Sequence, residues 1–589
     1  MASPRATVSG TLCRLAVLLI LAAWRSPCGA ADLFRDDFSS FPPGWLTRPV
    51  GQLNAAIQEY HYLPHRGVPL GPWANAICHL DAWAAGEEDG KAYLEQHTVN
   101  DQSRLMNPIF LTGVPEWESY TVEVGVRPLS KDDMAGVVFR YHTNRSRIDA
   151  RVAGREAELA GLRDRNPRPK VWKTFKTPKF GAGRNVRLGD LDGDGTPEIL
   201  IAQNIPRIGD NFMQISCLTA VTLDGRVLWQ LGRPDPKNGL LTADTPFQIH
   251  DIDGDGRNEV VMLKDFKLQV LEGHTGRVRK WVWMPRALPD NGKKPFTLTN
   301  GDSLAFLNLS GGTGRRELLV KDRYSNFWTF DSGLAQLWLG QGQTGHFPYP
   351  FDIDGDGRDE VAIGYALWDH RGHRIWSHDA ELEDHADGVA VGNFSGDPRA
   401  EPRFYAWGSD EGFLMFDRRG TIMKHVRIGH AQTASVGKYL PDRTGLQLMC
   451  INFWKNPGII SLFDHDGNLL GQQEPIHSGS SMLPVNWRGD GQEFVLLSGN
   501  AHEGGMIDGK MRRVVMFPDD GHPDLAAYVA DVTGDARDEV ILWDQERVWI
   551  YTQDRPFPGK RVYSPTRNPG YNESNYRTVV SLPGWAGAR

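Results

Sequence analysis

Three short segments of the chain carry carboxylates at a spacing that suits metal binding. Each has aspartates at its first, third and fifth positions, glycine at the sixth and glutamate at the ninth. Calcium takes roughly six to eight oxygen ligands, and alternating aspartates on a tight turn supply most of them. The sequence therefore predicts calcium as a cofactor. The predicted ligands are Asp190, Asp192, Asp194 and Glu198; Asp251, Asp253, Asp255 and Glu259; and Asp352, Asp354, Asp356 and Glu360.

The position of the last carboxylate distinguishes these loops from an EF-hand. An EF-hand supplies its bidentate glutamate at about position 12, on a departing helix. Here the glutamate comes at the ninth position and opens a β-branched run, as in Glu360-Val361-Ala362-Ile363. We therefore predict metal loops between two strands. A structural role, in which each ion holds one turn, is favoured over a direct role in chemistry.

The loops recur inside a longer repeat that must position them. From about Val186 the chain repeats an apolar strand, an Asp/Asn/Gly turn and further strands, at a spacing of roughly 40 to 60 residues. Four-stranded repeats of this length are typical of propeller blades. We predict an all-β chain with an eight-bladed β-propeller, seven blades being the alternative count, preceded by a partial jelly-roll β-sandwich. Imperfect copies start near Phe306, Val389, Ser435, Leu483 and Tyr528.

One imperfect copy keeps part of the metal pattern. The loop 531–539 has aspartates at its first and fifth positions, but Thr533 stands at the third and Ala536 replaces the glycine. We expect a marginal site there, three strong sites in the complete loops and no metal in the other repeats.

The N-terminal segment and the net charge of the chain suggest its location and its partners. Residues 1–31 combine arginines, an apolar run and small residues, which is typical of a secretory signal peptide. We expect a secreted or periplasmic monomer without a transmembrane segment. The net charge of −8 offers no basic surface for nucleic acid. The expected domains are the sandwich at 32–145, a helical and linker segment at 146–180 and the propeller at 181–589.

Two parts of the chain resemble known modules. The complete loops resemble the FG-GAP calcium repeats of integrin-like propellers. The opening segment 34–38 and the strand-like runs at 120–127 and 134–142 resemble the start of a laminin-G or concanavalin-type jelly roll. Modules of that type often bind glycans, so a glycan is one expected partner.

The C-terminal half resembles rhamnogalacturonan lyases of polysaccharide lyase family 11. Residues 430–446 resemble a blade segment of that family, and 385–398 are a weaker version of it. Residues 531–552 and the following Tyr571-Asn572 resemble the last blade and its closing tyrosine-asparagine motif. Those enzymes are eight-bladed calcium-binding propellers. The family also has an Asn-Gly-Thr-Lys loop before the last blade, whereas this chain has Asp519-Asp520-Gly521-His522-Pro523, without the lysine.

The resemblance implies an exported lyase that cleaves a uronate-containing, rhamnogalacturonan-like polysaccharide by β-elimination. This reaction needs a positive charge on the uronate carboxylate, a base and a proton donor. Propeller loops converge over the central channel, so loop residues from several blades are the candidates. Histidines before strands also cap turns, so a structural role stays open for each. The candidates are Arg577 for the carboxylate, His430 or His522 as base, Tyr571 as acid or subsite wall, and His385.

A second function class fits the same sequence. A non-catalytic, calcium-stabilised propeller could bind glycans, mediate adhesion or act as an envelope scaffold. A glycoside hydrolase with paired carboxylates also stays open, because the chain is rich in Asp and Glu. A pocket with histidines and tyrosines on one face would favour the enzyme, whereas a flat or acidic face would favour the binding protein.

Overall fold

The computed structural model describes most of the chain, in two compact units. One unit comprises residues 1–48 and 61–148, and the other residues 49–60 and 149–589. The described residues are 5–9, 32–41, 43–45, 68–70, 73–77, 83–96, 109–112, 121–127, 152–208, 212–240, 242, 244–290, 292, 294–452, 459–473, 482–501, 504–567 and 578–587.

The first unit consists of short antiparallel strands in its described part. Two three-stranded sheets have the orders β2-β5-β6 and β3-β4-β7, and β1 pairs with β8. The strand predicted at 120–127 is confirmed as β8, while the run 134–142 and the apolar run of the predicted signal peptide lie outside the described residues. The strands are β1 (Arg5–Ser9), β2 (Gly44–Trp45), β3 (Val68–Leu70), β4 (Trp73–Ile77), β5 (Trp83–Glu88), β6 (Lys91–Gln96), β7 (Ile109–Thr112) and β8 (Thr121–Gly125).

The second unit is an eight-bladed β-propeller, which confirms the predicted architecture and the higher blade count. It begins with α1 (Val152–Arg165) and β9 (Pro169–Lys176). The first four blades are β10 (Val186–Gly189), β11 (Glu198–Ile208), β12 (Phe212–Val221) and β13 (Val227–Gly232); β14 (Phe247–His250), β15 (Glu259–Lys264), β16 (Lys267–Glu272) and β17 (Val278–Trp283); β18 (Ser303–Leu307), β19 (Glu317–Lys321), β20 (Asn326–Phe330) and β21 (Gln336–Gln341); and β22 (Tyr349–Phe351), β23 (Glu360–Ile363), β24 (Ala366–Trp368) and β25 (Arg374–Ser377). A 3-10 helix, Pro236–Asn238, follows the first blade.

The remaining blades and the C-terminal strands complete the ring. They are β26 (Gly388–Gly392), β27 (Arg403–Trp407), β28 (Phe413–Phe416) and β29 (Ile422–Val426); β30 (Ala431–Gly437), β31 (Gln447–Asn452), β32 (Ile459–Asp464) and β33 (Leu469–Gln473); β34 (Leu483–Val485), β35 (Phe494–Ser498), β36 (Gly505–Ile507) and β37 (Arg513–Val515); β38 (Ala526–Ala530), β39 (Glu539–Trp543) and β40 (Arg547–Gln553); and β41 (Arg561–Tyr563), β42 (Thr566–Arg567), β43 (Val579–Leu582) and β44 (Trp585–Gly587).

Burial follows the position of each strand in its blade. The inner strands are buried throughout, as in β18 to β20, because they pack between neighbouring blades. The outer strands have mostly exposed and half-buried residues, as in β17. A single blade exposes two apolar faces, so each blade requires its neighbours.

The ring closes with a strand from before the first blade. β9 pairs antiparallel with β40 and becomes the outer strand of the eighth blade. Val186 and Ile199 of the first blade share an apolar cluster with Ile541 and Ile550 of the eighth, which completes the contact. The propeller therefore includes β9, which lies within the expected helical and linker segment 146–180.

The C-terminal segment adds two strands to the inner edge of the sixth blade. β43 pairs in parallel with β30, the innermost strand of that blade, and β42 pairs with β43. Val580 and Ser581 are fully buried there. The tail thus extends this sheet toward the centre of the ring.

Antiparallel order separates the loops into two faces. We define the upper face of the propeller as the face on which the innermost strand of each blade begins. The turns between the second and third strands of each blade lie on the same face. The lower face is the end at which the innermost strands finish. The three metal-type loops each follow an innermost strand and lie on the lower face. His346, His385 and His430 each precede one and lie on the upper face.

Candidate functional site

The lower-face loops have the geometry that the carboxylate spacing predicted. In each of the three complete loops, oxygens of the first three aspartates lie within 4.8 Å of one another. In the loop from Asp352, the backbone amides of Gly355 and Gly357 donate to the Asp352 carboxylate at 2.7 and 2.9 Å. Burial and the nearby aspartates raise the pKa of Glu360 to about 7. A cation would relieve this repulsion, so the residues fit calcium. Calcium itself stays a prediction.

The loops differ in the arginine side chains that already contact their carboxylates. Arg279 lies 3.0 Å from Asp253 and 3.0 Å from Glu259, so a guanidinium partly neutralises the second loop. In the imperfect loop, Arg537 pairs with Asp535 at 2.6 Å. The loop from Asp352 has only the longer contact of Arg358 with Asp356, at 3.4 Å, so we expect it to bind calcium more tightly than the loop from Asp251.

Calcium removal should lower the melting temperature of the protein. An ion that binds only the folded state stabilises it by mass action. We expect EGTA to lower the melting temperature by at least about 2 °C relative to excess calcium, measured by scanning calorimetry. The variant Asp352→Asn should respond less than the wild type, and the control Asp397→Asn should respond equally. Identical melting curves of the wild type with and without calcium would contradict the prediction.

Backbone conformation explains the glycine at the sixth position of each loop. Gly357 has a φ of 85°, and a Cβ there would meet nothing within 4 Å. Ala536, at the same position of the imperfect loop, has a φ of 70°. The left-handed conformation costs a residue with a Cβ about 1–2 kcal/mol. Gly357→Ala should therefore lower the free energy of unfolding by about 1 kcal/mol, and Ala536→Gly should raise it by about 0.5 kcal/mol, in urea titrations. A change of the same sign in both variants would refute this explanation.

The upper face holds a cluster of buried histidines and aspartates. We call His346, His385, His430, Asp384, Asp387 and Asp410 the histidine cluster. At its centre, Asp387 Oδ1 lies 3.0 Å from His346 Nε2 and 3.6 Å from His385 Nε2. The two Nε2 atoms are 3.2 Å apart. Three ligand-type atoms from two successive loops thus converge on one point.

The other oxygen of Asp387 extends the cluster to the next blade. Asp387 Oδ2 lies 3.2 Å from His430 Nε2 and accepts a hydrogen bond of 2.6 Å from Ser409 Oγ. His430 Nδ1 lies 2.5 Å from Asp410 Oδ1 and 3.8 Å from Asp384 Oδ2. Asp387 therefore bridges side chains from three loops of the upper face.

The electrostatics of the cluster depend on these contacts. Burial lowers the pKa of His346 to about 4, so this ring is neutral at neutral pH. Burial also lowers the pKa values of His385 and His430, but their hydrogen bonds to aspartates raise these values by more. The pKa of His385 lies well above its usual value, and that of His430 is raised to about 9. With no cation present His430 is protonated, which favours an acid or electrostatic role over the base role that the sequence suggested.

Local structure holds Asp387 in place. Its backbone amide donates to Trp407 O at 2.8 Å, just before β26 begins. The next residue is Gly388, where a Cβ would lie only 2.5 Å from the Thr578 hydroxyl. Glycine is needed here because the C-terminal segment approaches the backbone closely. Thr578 thus lies beside the histidine cluster.

A tyrosine and an arginine stand next to the cluster. Tyr324, in the turn between β19 and β20, has its ring 4.8 Å from that of His385 and 5.8 Å from that of His346. The guanidinium of Arg323 lies 5.3 Å from the Tyr324 ring, and it donates to Asp302 at 2.9 Å. Aromatic and cationic groups therefore border the histidines.

The structure brings together only part of the predicted catalytic set. His385 and His430 meet in the histidine cluster, as expected for loop residues of neighbouring blades. His522 lies elsewhere on the eighth blade's leading loop, where its Nδ1 is 2.8 Å from Asp520 and its Nε2 is 2.6 Å from Gly499 O. Both its nitrogens are thus engaged in local contacts. Tyr571 and Arg577 lie outside the described residues.

Sequence reasoning missed several members of the cluster. His346, Asp384, Asp387 and Asp410 were not among the candidates, although each precedes a strand or lies in a turn on the same face. A signal was available, because the His385-Ala-Asp387 triplet leads into the wholly apolar strand β26. The partners of that triplet come from other repeats, so no local spacing identifies them.

The donor set of the cluster suits a divalent cation. His346, His385 and Asp387 form one group whose ligand atoms lie within 4.8 Å, and Asp384, Asp410 and His430 form a second. Imidazoles with a carboxylate suit transition metals, while a greater share of carboxylates suits manganese or calcium. Asp387 Oδ1 is buried and lies 3.0 Å from His346 Nε2 and 3.6 Å from His385 Nε2, an arrangement that fits three ligands around one cation.

Comparisons with known proteins support a relationship to one enzyme group. Residues 319–578 match the family model of the rhamnogalacturonan lyase family 11 C-terminal domain. The rhamnogalacturonan endolyase YesW of Bacillus subtilis (strain 168) is 23% identical over 457 residues, which are 66% of this chain and 70% of that protein. The chain is a distant relative of rhamnogalacturonan lyases.

Further comparisons agree with this relationship at the level of the fold. The rhamnogalacturonan exolyase YesX of the same organism is 25% identical over 268 residues, 37% of this chain and 43% of that protein, so the match spans less than half of the exolyase. The crystal structure of YesX aligns with a TM-score of 0.51 at 21% identity, covering 72% of this chain and 82% of that chain. This likeness shows the propeller fold alone.

None of the helices in the described residues has the length and apolar character to cross a membrane.

Proposed function

We propose that this protein is a polysaccharide lyase that cleaves a uronate-containing, rhamnogalacturonan-like polysaccharide by β-elimination on its upper face. One observation carries the proposal: the segment that matches the lyase family model, residues 319–578, contains the entire histidine cluster. We further propose that the protein acts after export and that calcium in the lower-face loops stabilises the ring.

The proposed roles follow the needs of β-elimination. His346, His385 and Asp387 would hold a divalent cation, which supplies positive charge to the uronate carboxylate. His430, which contacts Asp387 and Asp410, is proposed to donate a proton to the leaving oxygen. Arg577, which immediately precedes Thr578 in the chain, is proposed to bind the carboxylate as well.

Proton transfer to and from the sugar needs a further group. Tyr571 is proposed as the acid or as a wall of the sugar subsite. Tyr324, which borders His385, is proposed as the base for the proton on C5, while His430 or Tyr571 protonates the leaving oxygen. The variants Tyr571→Phe and Tyr324→Phe test these roles, because only a phenol that transfers a proton should lower kcat when its hydroxyl is removed.

The activity itself is tested with purified full-length protein. Rhamnogalacturonan I, polygalacturonate, ulvan and glucuronan are incubated with it, and the absorbance of the unsaturated uronate product is followed. Product from rhamnogalacturonan I is the expected result, with loss of activity on chelation and recovery with one divalent cation of a panel. No product from any of the four polymers would overturn the lyase and favour the glycan-binding alternative.

A further inference from the structure

We propose that Trp281, Trp283 and Lys267 form a second binding platform for acidic polysaccharide, at the outer edge of the second blade and separate from the histidine cluster. The ligand class, a uronate-containing chain, rests on the proposed function. The platform itself rests on the geometry of β16 and β17.

Strand pairing brings the three side chains onto one surface. Lys267 of β16 lies directly opposite Trp283 of β17, and Trp281 is two residues before Trp283. Side chains two apart on a strand point to the same side. The two indoles are therefore neighbours, with ring centroids 5.6 Å apart, and Lys267 Nζ lies 4.1 Å from the Trp281 ring and 4.6 Å from the Trp283 ring.

The exposure of these side chains is unusual for their type. Trp281 is 46% exposed and Trp283 is 56% exposed, although neither belongs to the described site. Large aromatic side chains normally bury most of their surface, and exposed apolar groups that adjoin one another mark binding surfaces. A depression of about 430 Å³ is lined by Trp281 and Lys267, by the Lys264–Asp265 pair, and by Leu231, Gly232, Gln269 and Val278. There is space beside the indoles for a sugar ring.

Charge identifies the kind of sugar that fits. Lys264 is neutralised by Asp265 at 2.5 Å, but Lys267 makes no ion pair among the described residues. An ammonium group held over two indoles lacks a carboxylate partner, and a uronate would provide one. The indole faces pack against the apolar C–H face of a pyranose while the ammonium binds its carboxylate. A neutral sugar would use only the first interaction.

The platform lies at the same end of the ring as the histidine cluster. Trp283 ends β17 and Lys267 begins β16, and both positions belong to the upper face as defined above. Met284, the next residue, donates its amide to Phe266 O at 2.9 Å, so the end of the strand is tied to the turn before β16. A polymer bound on the upper face therefore has a second attachment point at the rim.

The chain offers a matched control for this surface. Trp172 of β9 is 37% exposed, and Lys173 Nζ lies 4.4 Å from its ring. Lys173, however, pairs with Asp224 at 2.8 Å, and among the described residues Trp172 has no second indole beside it. The Trp172–Lys173 pair therefore has the same residue types as the platform, but its lysine is already neutralised and its indole is single. Trp172→Ala should not change the binding of polygalacturonate.

Affinity electrophoresis of the full-length protein tests the platform, in gels containing polygalacturonate or its carboxyl-reduced form. We expect Trp281→Ala/Trp283→Ala to weaken binding to polygalacturonate by about tenfold. Lys267→Gln should weaken binding to polygalacturonate but not to the reduced polymer. The double variant should keep the wild-type rate on short oligosaccharides, which do not span both surfaces. Circular dichroism and melting temperature confirm that each variant is folded.

The outcomes separate this inference from the proposed function. Equal binding of wild type and double variant overturns the platform, and so does equal binding of the wild type to both polymers. Self-association of the wild type that the double variant abolishes would assign the surface to a second copy of the chain instead. If binding depends on the two tryptophans but no polymer yields unsaturated product, the lyase fails and the platform stands.

Discussion

Asp387→Asn is expected to lower the kcat/KM of the lyase reaction by about 10²–10³-fold. The carboxylate stands between three histidines, at 3.0 Å from His346, 3.6 Å from His385 and 3.2 Å from His430. Asparagine keeps the size of the side chain but removes its negative charge and one acceptor oxygen. The protonated histidines then lose their counter-ion, and a cation loses its central ligand. Steady-state kinetics on rhamnogalacturonan I measure the effect.

The matched control is Ser409→Ala. The Ser409 hydroxyl donates to Asp387 Oδ2 at 2.6 Å, so this variant removes a neighbour of the carboxylate and leaves Oδ1 unchanged. We expect kcat/KM to fall by about tenfold or less, because this variant removes one hydrogen bond to the carboxylate but keeps its charge and its Oδ1 atom. Titration calorimetry should show one fewer bound cation for Asp387→Asn than for the wild type, because the lower-face loops are unchanged, and the same number as the wild type for Ser409→Ala. A folded Asp387→Asn variant with wild-type kcat/KM would remove the histidine cluster from the proposed chemistry.

The lower-face loops could be predicted almost completely from the sequence. All ligands of one loop, such as Asp352 to Glu360, lie within nine residues, so their spacing alone fixes their geometry. The same applies to the strands, because the apolar runs that follow each loop are local. The number of blades followed from the number of repeats. Local patterns therefore predicted the ring and its carboxylate loops.

The histidine cluster could not be derived in the same way. His346, His385 and His430 belong to three different leading loops, and their partner Asp410 comes from a turn between strands. Their contacts depend on how neighbouring blades pack, which no spacing along the chain encodes. Closure by β9 is hidden for a similar reason, since its partner β40 lies more than 370 residues later in the chain. The sequence of β9 alone does not identify β40 as its partner.

The imperfect loops show how the fold replaces one source of positive charge by another. Glu493 precedes β35 much as Glu360 begins β23, but its loop has Arg488 where a complete loop has its second aspartate. Glu493 is fully buried and accepts from Arg567 at 3.2 Å. A guanidinium from the C-terminal segment therefore provides the positive charge that a metal ion would provide in a complete loop.

Replacing this guanidinium should have the largest effect on stability. Arg567 donates to both oxygens of Asp538, at 2.7 and 2.6 Å, in addition to Glu493. The side chains of Asp538 and Glu493 are 4% and 0% exposed, so Arg567→Met leaves buried carboxylates without a counter-charge. Removing one partner of a buried ion pair costs about 3–5 kcal/mol. We expect a loss of that size in the free energy of unfolding, measured by urea titration with tryptophan fluorescence.

Two further variants show whether the uncompensated charge is the cause. Arg399→Met removes an arginine whose side chain is 89% exposed and pairs with Asp397, so it should cost less than about 1 kcal/mol. Arg567→Met/Asp538→Asn removes a buried carboxylate together with its partner and should be more stable than Arg567→Met alone. If the double variant were less stable than the single one, lost packing and hydrogen bonds of Arg567 would be the cause. The C-terminal segment would then hold blades seven and eight together by shape, and not by charge.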